Sequence, residues 1–160
     1  MNPAVSAQER QERQEFGGRA ILDTSVLVRY LTFDPPEQGV IAQALIEGDE
    51  ELMIPSVALA ETAFALTRRY GVERAQTVDL LVDLISRENI RVQDLPNVLA
   101  IEAFQLCRPS GRVSYADALI WAATRQAGVN AVYTFDRAFP SSGVERRLLA
   151  AAATDEASQT

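Results

Sequence analysis

Short apolar runs alternate with amphipathic stretches through most of the chain. Ala20-Ile21-Leu22 predicts a strand that ends at Asp23, and residues 51–54, 89–92 and 131–133 predict three more, the last ending near Asp136. Apolar positions at helical spacing predict helices over residues 55–70, 72–87, 96–107 and 114–127, with Gly71 and Gly128 where C-terminal caps belong. Strands alternating with helices imply an α/β fold, a parallel sheet covered by helices on both faces. No internal repeat interrupts the pattern.

The segment 72–87 has a narrow wet stripe, Asp79 and Asp83 one turn apart, while Val78, Leu80, Leu81, Val82, Leu84 and Ile85 cover the rest. That is more apolar surface than one core contact requires, and it predicts a helix-helix homodimer contact. Outside the alternating region, residues 1–18 form a charged extension containing QERQERQE, and residues 150–160 form a small-residue tail. Both are expected to be loose, which leaves one domain over residues 19–149.

Composition agrees with a single domain: 160 residues, 48% hydrophobic and 23% charged, suffice for one core. What is missing narrows the chemistry more sharply. Histidine is absent, and all 15 basic residues are arginine. Without histidine there is no Ser-His-Asp triad, no HExxH zinc site and no imidazole pair to activate a 2′-hydroxyl. Without lysine there is no Schiff base and no GK[ST] phosphate loop. Catalysis is left to carboxylates, hydroxyls, arginines, the lone Cys107, or a metal held by oxygen. One cysteine cannot form an intrachain disulfide, and no run is apolar and long enough for a signal peptide or a membrane span, so a cytoplasmic protein is expected. The net charge of −7 opposes non-specific adhesion to nucleic acid.

Ligands of open α/β sheets bind beyond the carboxyl ends of the strands, and Asp23 and Asp136 are both placed there. Each also suits a helix N-cap or Asx-turn. Glu61 lies among apolar and small residues from Val57 to Leu66, where a carboxylate needs either a cationic partner or a narrow exposed stripe. Asp117 completes a capping box with Ser114. Together the four would form an oxygen-only pocket suited to Mg²⁺ or Mn²⁺. At ~5 Å and an effective dielectric of ~20, each pair would repel by roughly 3 kcal/mol, so at least one carboxyl is expected to have a raised pKa without metal. Arg29, Arg68, Arg69, Arg108, Arg112 and Arg137 are candidates for a phosphate track, although Arg68-Arg69 also suits a helix C-terminus.

The segments Ile21-Leu22-Asp23-Thr24-Ser25-Val26-Leu27, Pro55 through Glu61, Tyr115-Ala116-Asp117-Ala118-Leu119-Ile120 and Tyr133-Thr134-Phe135-Asp136-Arg137-Ala138-Phe139, in that order, resemble the PIN-domain family. More narrowly, they resemble the VapC toxins of toxin-antitoxin pairs. The resemblance runs from about residue 20 to about residue 144. It implies a three-layer sandwich and a Mg²⁺- or Mn²⁺-dependent endoribonuclease. Asp23, Glu61, Asp117 and Asp136 match the family's acidic metal-binding positions, and Ser25 and Thr134 its small hydroxyl positions. It also implies a homodimer, a cognate antitoxin, and a tRNA or ribosomal RNA substrate; of the candidate arginines above, Arg29, Arg112 and Arg137 are the first expected to contact such a substrate. Hydrolysis by water would leave 5′-phosphate and 3′-hydroxyl ends. Two rivals differ in class: a Mg²⁺-dependent phosphatase or phosphorelay receiver, which usually wants a lysine, and a non-catalytic binding or scaffold domain of the same fold.

Overall fold

The computed structural model describes residues 19–150. The expectation of a loose charged N-terminal extension, and nearly all of the C-terminal tail, lie outside the described residues. In chain order the elements are β1 (Ala20–Ile21), α1 (Thr24–Thr32), α2 (Pro36–Ile46), β2 (Leu52–Ile54), α3 (Ser56–Arg68), α4 (Arg74–Ile85), β3 (Ile90–Val92), α5 (Asn97–Cys107), α6 (Tyr115–Gln126), β4 (Ala131–Thr134) and β5 (Glu145–Leu148). Every ladder is parallel, as expected for an α/β sandwich. β2 lies between β1 and β3, pairing Ala20 with Leu52 and Leu52 with Ile90, while β4 and β5 form a separate pair. The anticipated central sheet is thus divided into three strands and two among the described residues.

Three elements escape the apolar pattern: α1, α2 and β5. The α1 segment, TSVLVRYLT, is rich in β-branched residues that favour strands locally. It becomes a helix because Asp23 caps its first turn and because Leu27 and Val28 are buried. Phe33, in the left-handed region at φ 53°, ends it, and Pro36 starts α2 at a position where a missing N–H costs nothing. Gly71 and Gly128 both take positive φ, 65° and 68°, as expected at helix ends.

Leu52 and Ile54 of β2 and Ile90 and Val92 of β3 point into the core, where they meet Leu27, Leu59, Leu81, Phe104 and Trp121. The alternate positions are wetter: Met53 is half-buried and Arg91 exposed. Two asparagine amides hold the connections that a core alone leaves free. Asn97 accepts from Val92 N (2.8 Å) and donates to Ile85 O (3.0 Å) and Ile90 O (2.9 Å), joining α4, β3 and α5. Asn89 Nδ2 lies within 3.2 Å of the carbonyls of Ile46, Gly48 and Glu50, closing the turn between α2 and β2.

The apolar excess expected on the segment 72–87 is largely internal. Of its six apolar residues named above, Val78, Leu81, Leu84 and Ile85 are buried, and Leu80 and Val82 are half-buried beside the exposed Asp79 and Asp83. The segment serves the monomer core first, because α4 is covered by both α3 and α5. No helix among the described residues is long and apolar enough to cross a membrane.

Candidate active site

Asp23 stands just past the carboxyl end of β1 and is exposed. Its Oδ2 accepts from Ser25 Oγ (2.7 Å) and Ser25 N (3.3 Å), so the side chain is both cap and presented carboxylate. The Ser25 hydroxyl holds the Asp23 carboxyl below its usual range, with the Ser25 amide acting in the same direction. Of the four carboxyls, at least one of which is expected to be raised by repulsion, Asp23 is shifted the other way. The hydrogen bonds of its own turn outweigh what little burial does to raise it.

Glu61 sits in the middle of α3 on its exposed face, the exposed stripe that is one of the two alternatives for a carboxylate among apolar residues, and a hydroxyl donates to it. Thr24 Oγ1 donates to Glu61 Oε2 at 2.7 Å. Thr24 therefore links the turn of Asp23 to α3, a role that sequence reasoning missed by singling out Ser25 alone. Its signal was present: in Asp23-Thr24-Ser25, two hydroxyls of a first helical turn can serve two different carboxylates. The start of α3 is fixed in turn by Asp94, beyond β3, which accepts from Ser56 N (2.9 Å) and from the Ser56 hydroxyl. Asp94 supplies the cap that Pro55 cannot, and so sets the height of Glu61 along the sheet edge.

Asp117 lies in the first turn of α6, and its amide donates to Ser114 Oγ at 3.0 Å, as the capping box requires. Its half-buried carboxylate is near enough to Cys107 to be felt there. Burial pushes that thiol up to about 11, with Arg74 pulling it down and Asp117 adding to the rise. Asp136 forms a turn of its own: Oδ1 accepts from Ala138 N (2.7 Å), and Thr134 Oγ1 accepts from Asp136 N (3.0 Å). Thr134 is therefore bonded within the loop after β4 rather than to the Asp23 turn. Among the described residues, no three acidic or thiol side chains group closely enough to enclose an ion. The carboxylates of Asp23 and Asp136 each accept hydrogen bonds within their own loops.

A cleft of about 720 Å³ opens from Thr24 and Glu61 along α3 toward the start of α6. Arg68, Arg69 and Arg74 line it. Arg74, which the sequence did not mark, lies 4.6 Å over the Tyr115 ring and donates to Val113 O (3.3 Å), which steadies the approach to α6. Arg29 Nε donates to Gln38 Oε1 (2.8 Å) between α1 and α2. Arg108 is engaged by Asp79 through two bonds of 2.8 and 3.0 Å, so it leaves the expected phosphate track. Arg112 and Arg137 are exposed.

A parallel α/β fold with carboxylates at the carboxyl edge of its strands defines the class to which these features belong. The PIN domain matches residues 20–143, most of the chain, and the chain belongs to the PIN-domain family, a superfamily of nucleases. No curated protein matches it significantly.

Nucleases of this family typically use a divalent metal, and the donors present are compatible with one. Asp23 and Glu61 are exposed, oxygen-only donors on either side of Thr24. Mg²⁺ keeps several waters and commonly takes only one or two carboxylates, so a pair of this kind meets its requirements without a closed cage. Zinc, which wants nitrogen or sulfur, finds neither in reach: there is no histidine, and Cys107 is buried.

Proposed function

We propose that this chain is a Mg²⁺- or Mn²⁺-dependent endoribonuclease, the toxin of a toxin-antitoxin pair. The observation that carries the reading is the Thr24–Glu61 bond, which fastens the middle of α3 to the turn bearing Asp23. Asp23 and Glu61 would hold the ion, with Asp117, in the first turn of α6, and Asp136, in the loop after β4, as further acidic positions. When bound, the metal lowers the pKa of water and neutralises charge on the scissile phosphate. The chain's own residues do the rest. Ser25 keeps Asp23 ionised, Thr24 orients Glu61, and the cleft arginines hold phosphates while offsetting the net charge of −7. Thr134 shapes the turn that presents Asp136, and Arg29, Arg112 and Arg137 extend the contact surface beyond the cleft. Cleavage by water leaves 5′-phosphate and 3′-hydroxyl ends, within a tRNA or ribosomal RNA.

An antitoxin and a second copy of the chain are the proposed partners. The groove between α1 and α2, lined by Val26, Ile41, Ala42 and Leu45, opens beside Ser25 and Arg29. A partner segment lying there reaches the carboxylate edge. The half-buried Leu80 and Val82 of α4 are what remains of the expected homodimer face. Residence in the cytoplasm goes with an RNA substrate.

A second reading, a non-catalytic nucleic-acid-binding domain, draws on the spacing of the acids: among the described residues no three group closely enough to enclose an ion. One experiment separates the two. Purified protein is incubated with total RNA and Mg²⁺, Mn²⁺ or EDTA, and the new ends are mapped. Discrete cuts with 5′-phosphates, abolished by EDTA, support the nuclease. RNA binding without cuts supports the alternative, and cutting in EDTA overturns the metal-dependent mechanism.

A further inference from the structure

Glu61, Phe64 and Arg68 fall at helical spacing along α3, on one face of the helix. Phe64 is 58% exposed, although its neighbours Ala63, Ala65 and Leu66 are buried. The Arg68 guanidinium lies 5.7 Å from the centre of its ring. Both side chains line the cleft that begins at Glu61, and Glu61 is the one carboxylate among the described lining residues. The cleft also holds Arg69 and Arg74, and none of its three arginines is paired with a carboxylate among the described residues. In a chain of net charge −7, three unneutralised cations around an open aromatic ring describe a complementary ligand. It must carry a flat apolar face and negative charge, and it must fit about 720 Å³, within the usual range of about 300–1,000 Å³ for small-ligand sites.

We infer that Phe64 and Arg68 form a stacking platform for one unpaired base of an RNA strand, whose phosphates are held by Arg69 and Arg74. Sequence-tolerant stacking on aromatic and guanidinium planes, combined with a cationic groove, is how single strands are gripped. A paired base in an A-form helix has no free face to offer, so the platform selects loops, bulges and ends. One helical turn separates Phe64 from Glu61. The stacked base therefore sits beside the phosphate presented at Glu61 and sets which linkage lies there. This rests on the nuclease reading of the Glu61 end of the cleft, but it has its own readout.

The test uses the full chain in EDTA and an oligoribonucleotide carrying one 2-aminopurine, whose fluorescence falls on stacking. Binding to the unmodified protein should quench the probe. Phe64→Leu should remove the quenching and weaken binding about tenfold, Phe64→Trp should restore both, and Arg68→Gln should weaken binding in the same direction. Phe64 is exposed, so Phe64→Leu should melt with the unmodified protein. A fully paired duplex of the same sequence should bind more weakly and ignore the Phe64 change. Unaltered binding and quenching by Phe64→Leu, or no binding of the single strand by the unmodified chain, overturns the platform. Quenching by a chain that cuts no RNA in Mg²⁺ sustains the platform while the nuclease reading falls. Cleavage whose substrate binding ignores Phe64 does the reverse.

Discussion

Thr24 and Glu61, 37 positions apart, share a 2.7 Å hydrogen bond that ties the first turn of α1 to the exposed face of α3. An oriented carboxylate is what a metal-dependent site needs, and a hydroxyl one position from Asp23 provides it. Thr24→Val keeps the shape and removes the donor. Cleavage should fall by about 10- to 100-fold, the usual cost of losing a group that orients a ligand, and Thr24→Ser should restore most of it. Steady-state kinetics at several Mg²⁺ concentrations check this; a Thr24→Val enzyme of full activity would detach the bond from function.

Ser25 governs the acid behaviour of Asp23. Because its hydrogen bonds depress the folded pKa of Asp23 below the usual carboxylate range, the carboxylate favours folding above the unfolded pKa. That contribution is lost as pH falls through the depressed value. Ser25→Ala should raise the Asp23 pKa, as read by carbon-13 NMR of its carboxyl. Melting curves should show the variant less stable than the unmodified protein near neutrality, with the part due to Asp23 ionisation gone once both carboxyls are protonated at low pH.

Asp23→Asn probes the same turn from the other side. Relief of crowding would make this variant melt higher than the unmodified protein in EDTA. The bonds from Ser25 point the opposite way: asparagine caps a helix nearly as well but gives up a favourable charge at its N-terminus, so the variant should melt at or slightly below it. Mg²⁺ at a hundredfold excess over Kd should raise the Tm of the unmodified chain by about 5–10 °C and that of Asp23→Asn by much less. Calorimetry with and without Mg²⁺ decides it, and equal shifts would remove Asp23 from the metal's ligands.

Asn97 carries no chemistry, yet three backbone groups from three elements depend on its amide. Asn97→Ala should cost about 2–4 kcal/mol in urea unfolding, since each half-buried bond contributes about 1 kcal/mol and the orphaned groups are not all reached by water. A loss under half a kilocalorie would mean that the junction of α4, β3 and α5 re-forms around water.

The strongly periodic elements were legible from apolar spacing, and the four acidic positions from the strand ends that precede them or the helices that carry them. The rest depended on information that no short window contains. Residues 24–32 look strand-like, and only the Asp23 cap and the burial of Leu27 and Val28 make them helical. β5, with the sequence ERRL and two arginines at its centre, has no apolar alternation to announce it and exists by pairing with β4. At the site, composition excluded most chemistries, but residue types alone could not assign the hydroxyls. Thr24 and Ser25 are adjacent and chemically alike, and only the direction of each side chain sends one to Glu61 and the other to Asp23. The apolar residues of α4 mislead for a related reason: a helix covered from two sides reads like one awaiting a partner.

Cys107 is fully buried at the end of α5, and its thiol is pushed up to about 11. At pH 7 about one molecule in ten thousand presents a thiolate, so alkylating reagents and mild oxidants find nothing to attack while the chain stays closed. Being the sole sulfhydryl, it gives the molecule an internal clock: each labelling event records one opening of the packing around α5 and α6, and the labelling rate measures how often the native state breathes there.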